Sequence, residues 1–307
     1  TDLDTANGAI TATSGGALTV TDVASGTNGN ITLTTTSGDI TGLATVNAGS
    51  GNVTLNSAGA IVDDGSAGTV ITGGVLTADA AGAITIDSTV ASANISTSAA
   101  GNVDLDETDG ITLTDLDTND GSITVEAGGL ITATDVVAAG GSGDSVTLTT
   151  TTGGAVATLV TGADAVSITA NAGDITIGAV TATAGILGVT ATAGSINDAA
   201  DDNTADFTAG GLITLTAQDE IGVLGSGTDT DLEFATGSSV NVSTTGTGAI
   251  DLDGLGTLTL TDLDTANGAI TATSGGALTV TDVASGTNGN ITLTTTSGDI
   301  TGLATVN

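Results

Sequence analysis

The sequence predicts an all-β, right-handed parallel β-solenoid with about 20 residues per coil. Three observations predict it. Short strands of alternating polarity begin about every ten residues, glycine-rich turns separate them, and the 307-residue chain repeats itself at a long and at a short period. The sequence shows no sustained helical period.

The strands alternate between aliphatic and hydroxyl or acidic residues. Residues 31–34 (ITLT), 84–87 (ITID) and 213–216 (ITLT) are examples. A period of two is typical of a half-buried strand. Turn sequences such as Ser-Gly-Asp and Gly-Gly follow, and glycine supplies the positive φ that tight turns need. We therefore expect Ile, Val and Leu to form the core, with Thr and Asp outside.

The spacing of the strands sets the coil. A glycine followed two residues later by a β-branched residue, or a near relative of this start, recurs at steps of 21, 22, 31, 19, 20, 23 and 20 residues. Crossovers between parallel strands favour a right-handed coil. A string of β-sandwiches would need a larger core with aromatic residues, and this chain has two Phe as its only aromatics. The high charge also fits disorder, but the regular placing of Ile, Val and Leu favours a folded chain.

A long repeat organises the whole sequence. Residues 1–47 recur unchanged at 261–307, which gives a period of 260 residues. We expect residues 1–260 to be one complete unit of a continuous solenoid and 261–307 to be the start of the next identical unit. Within the unit, residues 1–23 align with 114–136 at 14 of 23 identical positions, so the unit itself grew by duplication.

Residues 29–61 (GNITLTTTSGDITGLATVNAGSGNVTLNSAGAI) resemble the filamentous-haemagglutinin-type repeats of giant bacterial surface adhesins. The resemblance covers nearly the whole chain in style. It implies a right-handed parallel β-helix in a secreted or cell-surface bacterial protein, used in adhesion or in an extracellular matrix. Repeats in that family are usually irregular, and the unchanged 47-residue copy here indicates a homogeneous shaft whose partners are neighbouring copies along one fibre.

The charge excludes several functions. The net charge is −35, with 35 acidic residues and no Lys, Arg or His. Phosphate binding needs Lys or Arg, so nucleic acid is excluded as a direct partner, and an anionic membrane surface is disfavoured for the same reason. No segment approaches the ~20 apolar residues of a membrane span. Multivalent cations are the natural ligands, within one fibre or between like fibres.

The residue types also disfavour an enzyme. The chain has no Cys, Tyr, His or Lys, so nucleophilic triads and zinc sites of the usual kind cannot form. Pectin-degrading enzymes combine a β-helix with clustered Asp, but they need basic residues to hold an acidic sugar. We predict no catalytic residue and no required cofactor, with Ca²⁺ as the one ion that the carboxylates would take.

Asp-Leu-Asp is the most repeated acidic motif. It occurs at 2–4, 104–106, 115–117, 251–253 and 262–264, with Asp231-Leu-Glu233 as a variant. On a strand both carboxylates share the outer face. They form either a cation ladder or a solvated acidic face that prevents lateral aggregation.

Two acidic segments are candidate metal sites. One surrounds the Asp-Leu-Asp at 104–106. The other is a stretch without strand character before Phe207, whose crowded carboxylates would repel one another unless a cation is present. The alternative for both is a solvated acidic loop. The candidate ligands are Asp104, Asp106, Asp109, Asp198, Asp201, Asp202 and Asp206.

The sequence analysis favours the structural shaft of a long extracellular filament or surface adhesin. The alternative is a calcium-dependent or ice-binding surface adhesin module, since Thr-x-Thr recurs along the strands and resembles the binding face of ice-binding solenoids. Thr is also simply a favoured strand residue. A calcium titration and an ice-recrystallisation assay would separate these functions.

Overall fold

The computed structural model describes residues 2–66, 68, 71–200, 202–222, 231–286, 289–302 and 305–306. In these residues the regular structure is β-strand without helix, and the chain forms a parallel β-solenoid with about 21 residues per turn. The predicted fold class is therefore confirmed, and the right-handed coil stays a prediction. No helix capable of crossing a membrane occurs in this part of the chain.

The chain divides into two compact units, Thr1–Thr149 and Thr150–Asn307. This division does not coincide with the sequence repeat at 260, so the predicted domain organisation stays a prediction. The strands of the first unit, the last of which ends one residue beyond it, are β1 (Asp2–Asp4), β2 (Ile10–Ser14), β3 (Leu18–Thr19), β4 (Asp22–Ala24), β5 (Ile31–Thr35), β6 (Ile40–Leu43), β7 (Val46–Asn47), β8 (Val53–Ser57), β9 (Ile61–Asp63), β10 (Ile71–Ala80), β11 (Ile84–Ala100), β12 (Val103–Glu107), β13 (Ile111–Asp120), β14 (Ile123–Ala127), β15 (Ile131–Ala133), β16 (Val136–Ala138) and β17 (Val146–Thr150).

The second unit is built in the same way. Its strands are β18 (Ala155–Gly162), β19 (Val166–Ala170), β20 (Ile175–Ala182), β21 (Leu187–Ala191), β22 (Ile196–Asp198), β23 (Phe207–Ala209), β24 (Leu212–Ala217), β25 (Leu232–Phe234), β26 (Ser238–Thr244), β27 (Ile250–Gly254), β28 (Leu258–Thr265), β29 (Ile270–Ser274), β30 (Leu278–Val280), β31 (Asp282–Ser285), β32 (Ile291–Thr295), β33 (Ile300–Thr301) and β34 (Thr305–Val306).

Like side chains stack on like across successive turns. In the first unit β5 pairs with β8 in parallel, which places Ile31 opposite Val53 and Leu33 opposite Leu55. These four side chains are buried, and the intervening Thr32 is half-buried. Full burial of such an aliphatic side chain stabilises the fold by about 1.5–3 kcal/mol. The predicted strand register is therefore confirmed.

The sequence analysis expected the core to consist of Ile, Val and Leu. The structure shows that other residue types also belong to it. Ala and both Phe are buried as well, and so are hydroxyl groups at the corners of the coil. Thr35 ends β5 at an inward position, and its hydroxyl donates a hydrogen bond to the carbonyl of Gly38 at 2.7 Å. Buried hydroxyls that find a carbonyl are tolerated in a core. The same corner bond is donated by Thr150 to Gly153, Thr244 to Gly248, Thr265 to Gly268 and Ser285 to Gly289.

Glycines stack directly after these corners. A Cβ built on Gly29 would lie 2.4 Å from the carbonyl oxygen of Gly8, and one on Gly268 would lie 1.9 Å from that of Gly248. Contacts this short do not occur for real side chains, so the close approach of successive turns demands glycine here.

The two copies of the 47-residue repeat take the same local structure, each within its own unit. Ile10 pairs with Ile31 in the first copy, and Ile270 pairs with Ile291 at the equivalent positions of the second. The turn glycine that follows has a φ of 81° at Gly38 and 93° at its equivalent. The strands at 10–14 and 31–35 therefore recur with the same bounds and register at 270–274 and 291–295, whereas other equivalent strands differ in length, such as β4 and β31.

Candidate acidic site

The second unit contains an excursion from the regular coil between β22 and β23. Both strands pair with β20, with Asp198 opposite Ile177 and Phe207 opposite Val180. Between these two pairs β20 has two residues, while the following turn has eight, residues 199–206. Ala199 and Asp206 still bond to β20, and the sequence between them is longer than the coil wall of the previous turn can hold, so the chain leaves the wall after Ala199 and rejoins it at Asp206.

Asp198 begins this excursion. Its Oδ1 accepts a hydrogen bond of 2.9 Å from the backbone N–H of Ala200, which is the geometry that turns favour for Asp. Asp202 does the same for Thr204 at 2.7 Å and is exposed to solvent. The hydrogen bonds from Thr204 lower the pKa of Asp202. Asp202 therefore shapes the loop and faces water.

Asp206 ends the excursion and meets the next turn. Phe207 pairs with Phe234, and the residues before them, Asp206 and Glu233, are joined by a 2.9 Å hydrogen bond from the backbone N–H of Glu233 to Asp206 Oδ2. The two Phe rings stack at a centroid distance of 5.3 Å. The only aromatic pair in the sequence thus forms the inner wall behind two acidic residues.

Glu233 is covered although it does not face the core. Its neighbours Leu232 and Phe234 are buried core residues, so alternation turns Glu233 outward. Nevertheless only 1% of Glu233 is exposed, and 4% of Asp206. One carboxylate oxygen from each of Asp198, Asp206 and Glu233 lies within 4.8 Å of the others. We call these three residues the acidic site.

The electrostatics of the acidic site are unfavourable for three bare charges. Burial raises the pKa of Asp206, and the charge of Asp198 raises it further. Burial likewise raises the pKa of Glu233, followed by the hydrogen-bonded carboxyl of Asp206. Oε1 of Glu233 is buried and has no hydrogen-bond partner among the described residues. With no base in the chain, the site needs a proton or a cation.

The predicted ligands are distributed unevenly over the structure. Asp198 and Asp206 come together, Asp202 faces water, and Asp201 lies outside the described residues. Glu233 was not among the predicted ligands, although it belongs to a variant of the Asp-Leu-Asp motif. A signal was present, because each of the two Phe residues directly follows an acidic residue.

The first predicted segment has a different arrangement. Asp104 and Asp106 lie on the exposed face of β12, and Asp109 lies exposed in the turn that follows. Among the described residues, the acidic site is the one group of three acids whose oxygens come within 4.8 Å of one another. Cation binding by Asp104, Asp106 and Asp109 stays a prediction.

Two of the Asp-Leu-Asp motifs, at 115–117 and 262–264, contribute to columns of polar residues on the outer face, one in each unit. Asn94 is opposite Asp115 and donates a 3.3 Å hydrogen bond from Nδ2 to its Oδ2. Leu116 pairs with Val136, so the next turn places Asp135 beside Asp115. Burial, and then Asp115 and Asp135, raise the pKa of the neighbouring Asp117.

The same column recurs in the second unit. Asn241 donates to Asp262 at 3.5 Å, and Asp282 follows in the next turn. In both columns the last carboxylate, Asp135 or Asp282, has a buried Oδ1 without a partner in the described parts of the chain. The internal duplication found in the sequence thus preserves a structural arrangement.

Comparison with protein-family models, with curated proteins and with solved structures finds no match to this chain.

Proposed function

We propose that this chain is a segment of the structural shaft of a long extracellular bacterial filament or surface adhesin. The observation that carries the proposal is that the described residues of the two copies, 1–47 and 261–307, repeat the same strand pairings. A sequence that returns to the same pairings is suited to extension by repetition. Solenoids gain stability mainly from nearest-neighbour contacts, so added units extend them without a new core.

The surface supports the same function. Thr and Asp occupy many of the outward strand positions, and the net charge of −35 has no positive residue to offset it. Such a surface keeps parallel fibres apart and protects sheet edges from pairing with other chains. Its partners would be neighbouring copies along one fibre, and like fibres where cations bridge their acidic faces.

A passive role is also the simplest reading of the residue types. Imidazole, thiol, amine, guanidinium and phenol groups are missing from the sequence. Carboxylates alone support general acid–base chemistry. However, an enzyme needs one active site, and a fibre of identical repeated units is a poor setting for it. The resemblance to filamentous-haemagglutinin-type repeats supports placement outside a bacterial cell.

The proposal is tested by measuring length against repeat number. Chains of one, two and three 260-residue units are imaged by electron microscopy and measured by small-angle X-ray scattering. At ~4.8 Å per turn, each unit should add about 60 Å of contour length. Particles whose longest dimension does not grow with repeat number would overturn the shaft function.

A further inference from the structure

We propose that Asp198, Asp206 and Glu233 bind a divalent cation of the calcium class, which fastens the 199–206 excursion to the following turn. A structural shaft does not require such a site, so the inference goes beyond the proposed function. It depends on the geometry of the second unit alone.

The first argument is the meeting of three carboxylates from separate positions in the chain. Asp198 and Asp206 flank the excursion, and Glu233 comes from β25, one turn later. Their oxygens lie within 4.8 Å of one another. An ion at their centre would close the loop and link it to the next turn in one step.

The second argument is the buried oxygen of Glu233. Oε1 has no hydrogen-bond partner in the described residues, and only 1% of the side chain is exposed. Leaving a buried acceptor unsatisfied is unfavourable, and more so when the group is charged. Asp206 Oδ2 and Asp198 Oδ1 each accept a backbone hydrogen bond, whereas Glu233 Oε1 accepts none from the described residues, and the carboxylate that carries it is one of the three that meet in the acidic site.

The ligand chemistry selects the ion. Carboxylate oxygens suit hard cations such as Ca²⁺, Mn²⁺ and Mg²⁺. Zinc and copper sites favour His or Cys, and the chain contains neither. Ca²⁺ accepts six to eight oxygens in flexible geometry, so three carboxylates and water can complete its shell, whereas Mg²⁺ demands near-ideal octahedral geometry.

A shared proton is the competing way to satisfy the site. Asp206 and Glu233 could hold one proton between them, as closely spaced carboxyl pairs do. A shared proton would neutralise one charge without linking Asp198. The two cases differ in their response to calcium at neutral pH.

The experiment is isothermal titration of the 307-residue chain with CaCl₂ after chelator treatment. It is run at pH 7.5 in 150 mM NaCl, so that weak binding to the acidic surface is screened. We expect one saturable site per chain that is weakened tenfold or more by Glu233→Gln. The matched control is Glu220→Gln, because Glu220 is an exposed acid of the same unit and its substitution changes the charge equally. MgCl₂ should bind more weakly than CaCl₂.

A second measurement covers the case in which Glu233→Gln perturbs the fold. Asp198→Asn changes a half-buried ligand at the mouth of the site. The melting temperature of the wild type should rise in 2 mM CaCl₂ relative to NaCl of equal ionic strength, and this rise should be lost in Asp198→Asn. Equal calcium responses in the wild type and both site variants, or no saturable binding in the wild type, would overturn the cation site. Neither result bears on the length of the filament.

Discussion

Ser88 donates a 2.7 Å hydrogen bond to the carboxylate of Glu107 across two adjacent strands, β11 and β12. Glu107 also accepts from the backbone N–H of Val90 at 3.1 Å and is 4% exposed. Burial raises its pKa to about 7, while these hydrogen bonds lower it in part. An acid with no positive partner therefore lies inside the coil.

This carboxyl should make the protein less stable as the pH rises. Its folded pKa of about 7 lies above the ordinary value of 4.5. The stability it contributes is therefore fully present below about pH 4.5 and is lost as the pH rises through 7. Glu107→Gln should raise the free energy of unfolding at pH 8 by about 1–3 kcal/mol and have little effect at pH 4.

Urea unfolding at pH 4, 6 and 8 in the presence of a chelator checks this expectation. Glu126→Gln is the control, because Glu126 is exposed on the neighbouring strand β14. If Glu107→Gln and wild type lose stability equally between pH 4 and pH 8, the carboxyl is not protonated in the fold.

The aliphatic stack should dominate stability. Leu55 is fully buried on β8, and Thr54 beside it is half-buried on the outer face. Leu55→Ala should lower the free energy of unfolding by about 2–5 kcal/mol, because it leaves a cavity between turns. Thr54→Ala should cost less than about 1 kcal/mol. Chemical unfolding of the two variants measures both, and similar losses would contradict the strand register.

The repeat and strand periods of the sequence were sufficient to predict the fold, but they could not predict the acidic site. Alternation correctly turns Ile31 inward and Thr32 outward. It also turns Glu233 outward, and no pattern could show that Asp198 and Asp206, at the two ends of the loop, would meet it. The path of such a loop depends on contacts between residues far apart in the chain, whereas a strand period is local.

The corner hydroxyls were missed for a different reason. Thr35 and Gly38 bond within one turn, so their signal was local and present in the sequence as Thr or Ser followed by Gly three or four residues later. Thr was treated as an outward residue throughout. At the fifth position of a strand that begins with an inward residue, alternation brings Thr inward again.

One corner hydroxyl provides a direct test. Thr265 is buried and donates a 2.8 Å hydrogen bond to the carbonyl of Gly268. Thr265→Val keeps the shape of the side chain but removes the hydrogen-bond donor. We therefore expect the free energy of unfolding to fall by about 1–2 kcal/mol. Thr259→Val is the control, because Thr259 is half-buried on an outward position of the same strand. Thermal unfolding of both variants is the measurement, and equal melting temperatures would show that the corner bond contributes nothing.

The acidic columns should destabilise the fold in a salt-dependent way. Asp115 lies between Asp135 of the next turn and Asn94 of the previous one. Asp115→Asn keeps an oxygen that can accept the hydrogen bond from Asn94 and removes one charge from the column. Like charges on neighbouring strands repel, so the variant should melt at a higher temperature than the wild type at pH 8 in 10 mM NaCl. In 1 M NaCl, where the screening length falls to about 3 Å, the difference in melting temperature should shrink.

The control is Asp219→Asn, at an exposed position of the second unit. It should change the melting temperature less than Asp115→Asn at either salt concentration. A lower melting temperature for Asp115→Asn at both salt concentrations would contradict the predicted repulsion within the column.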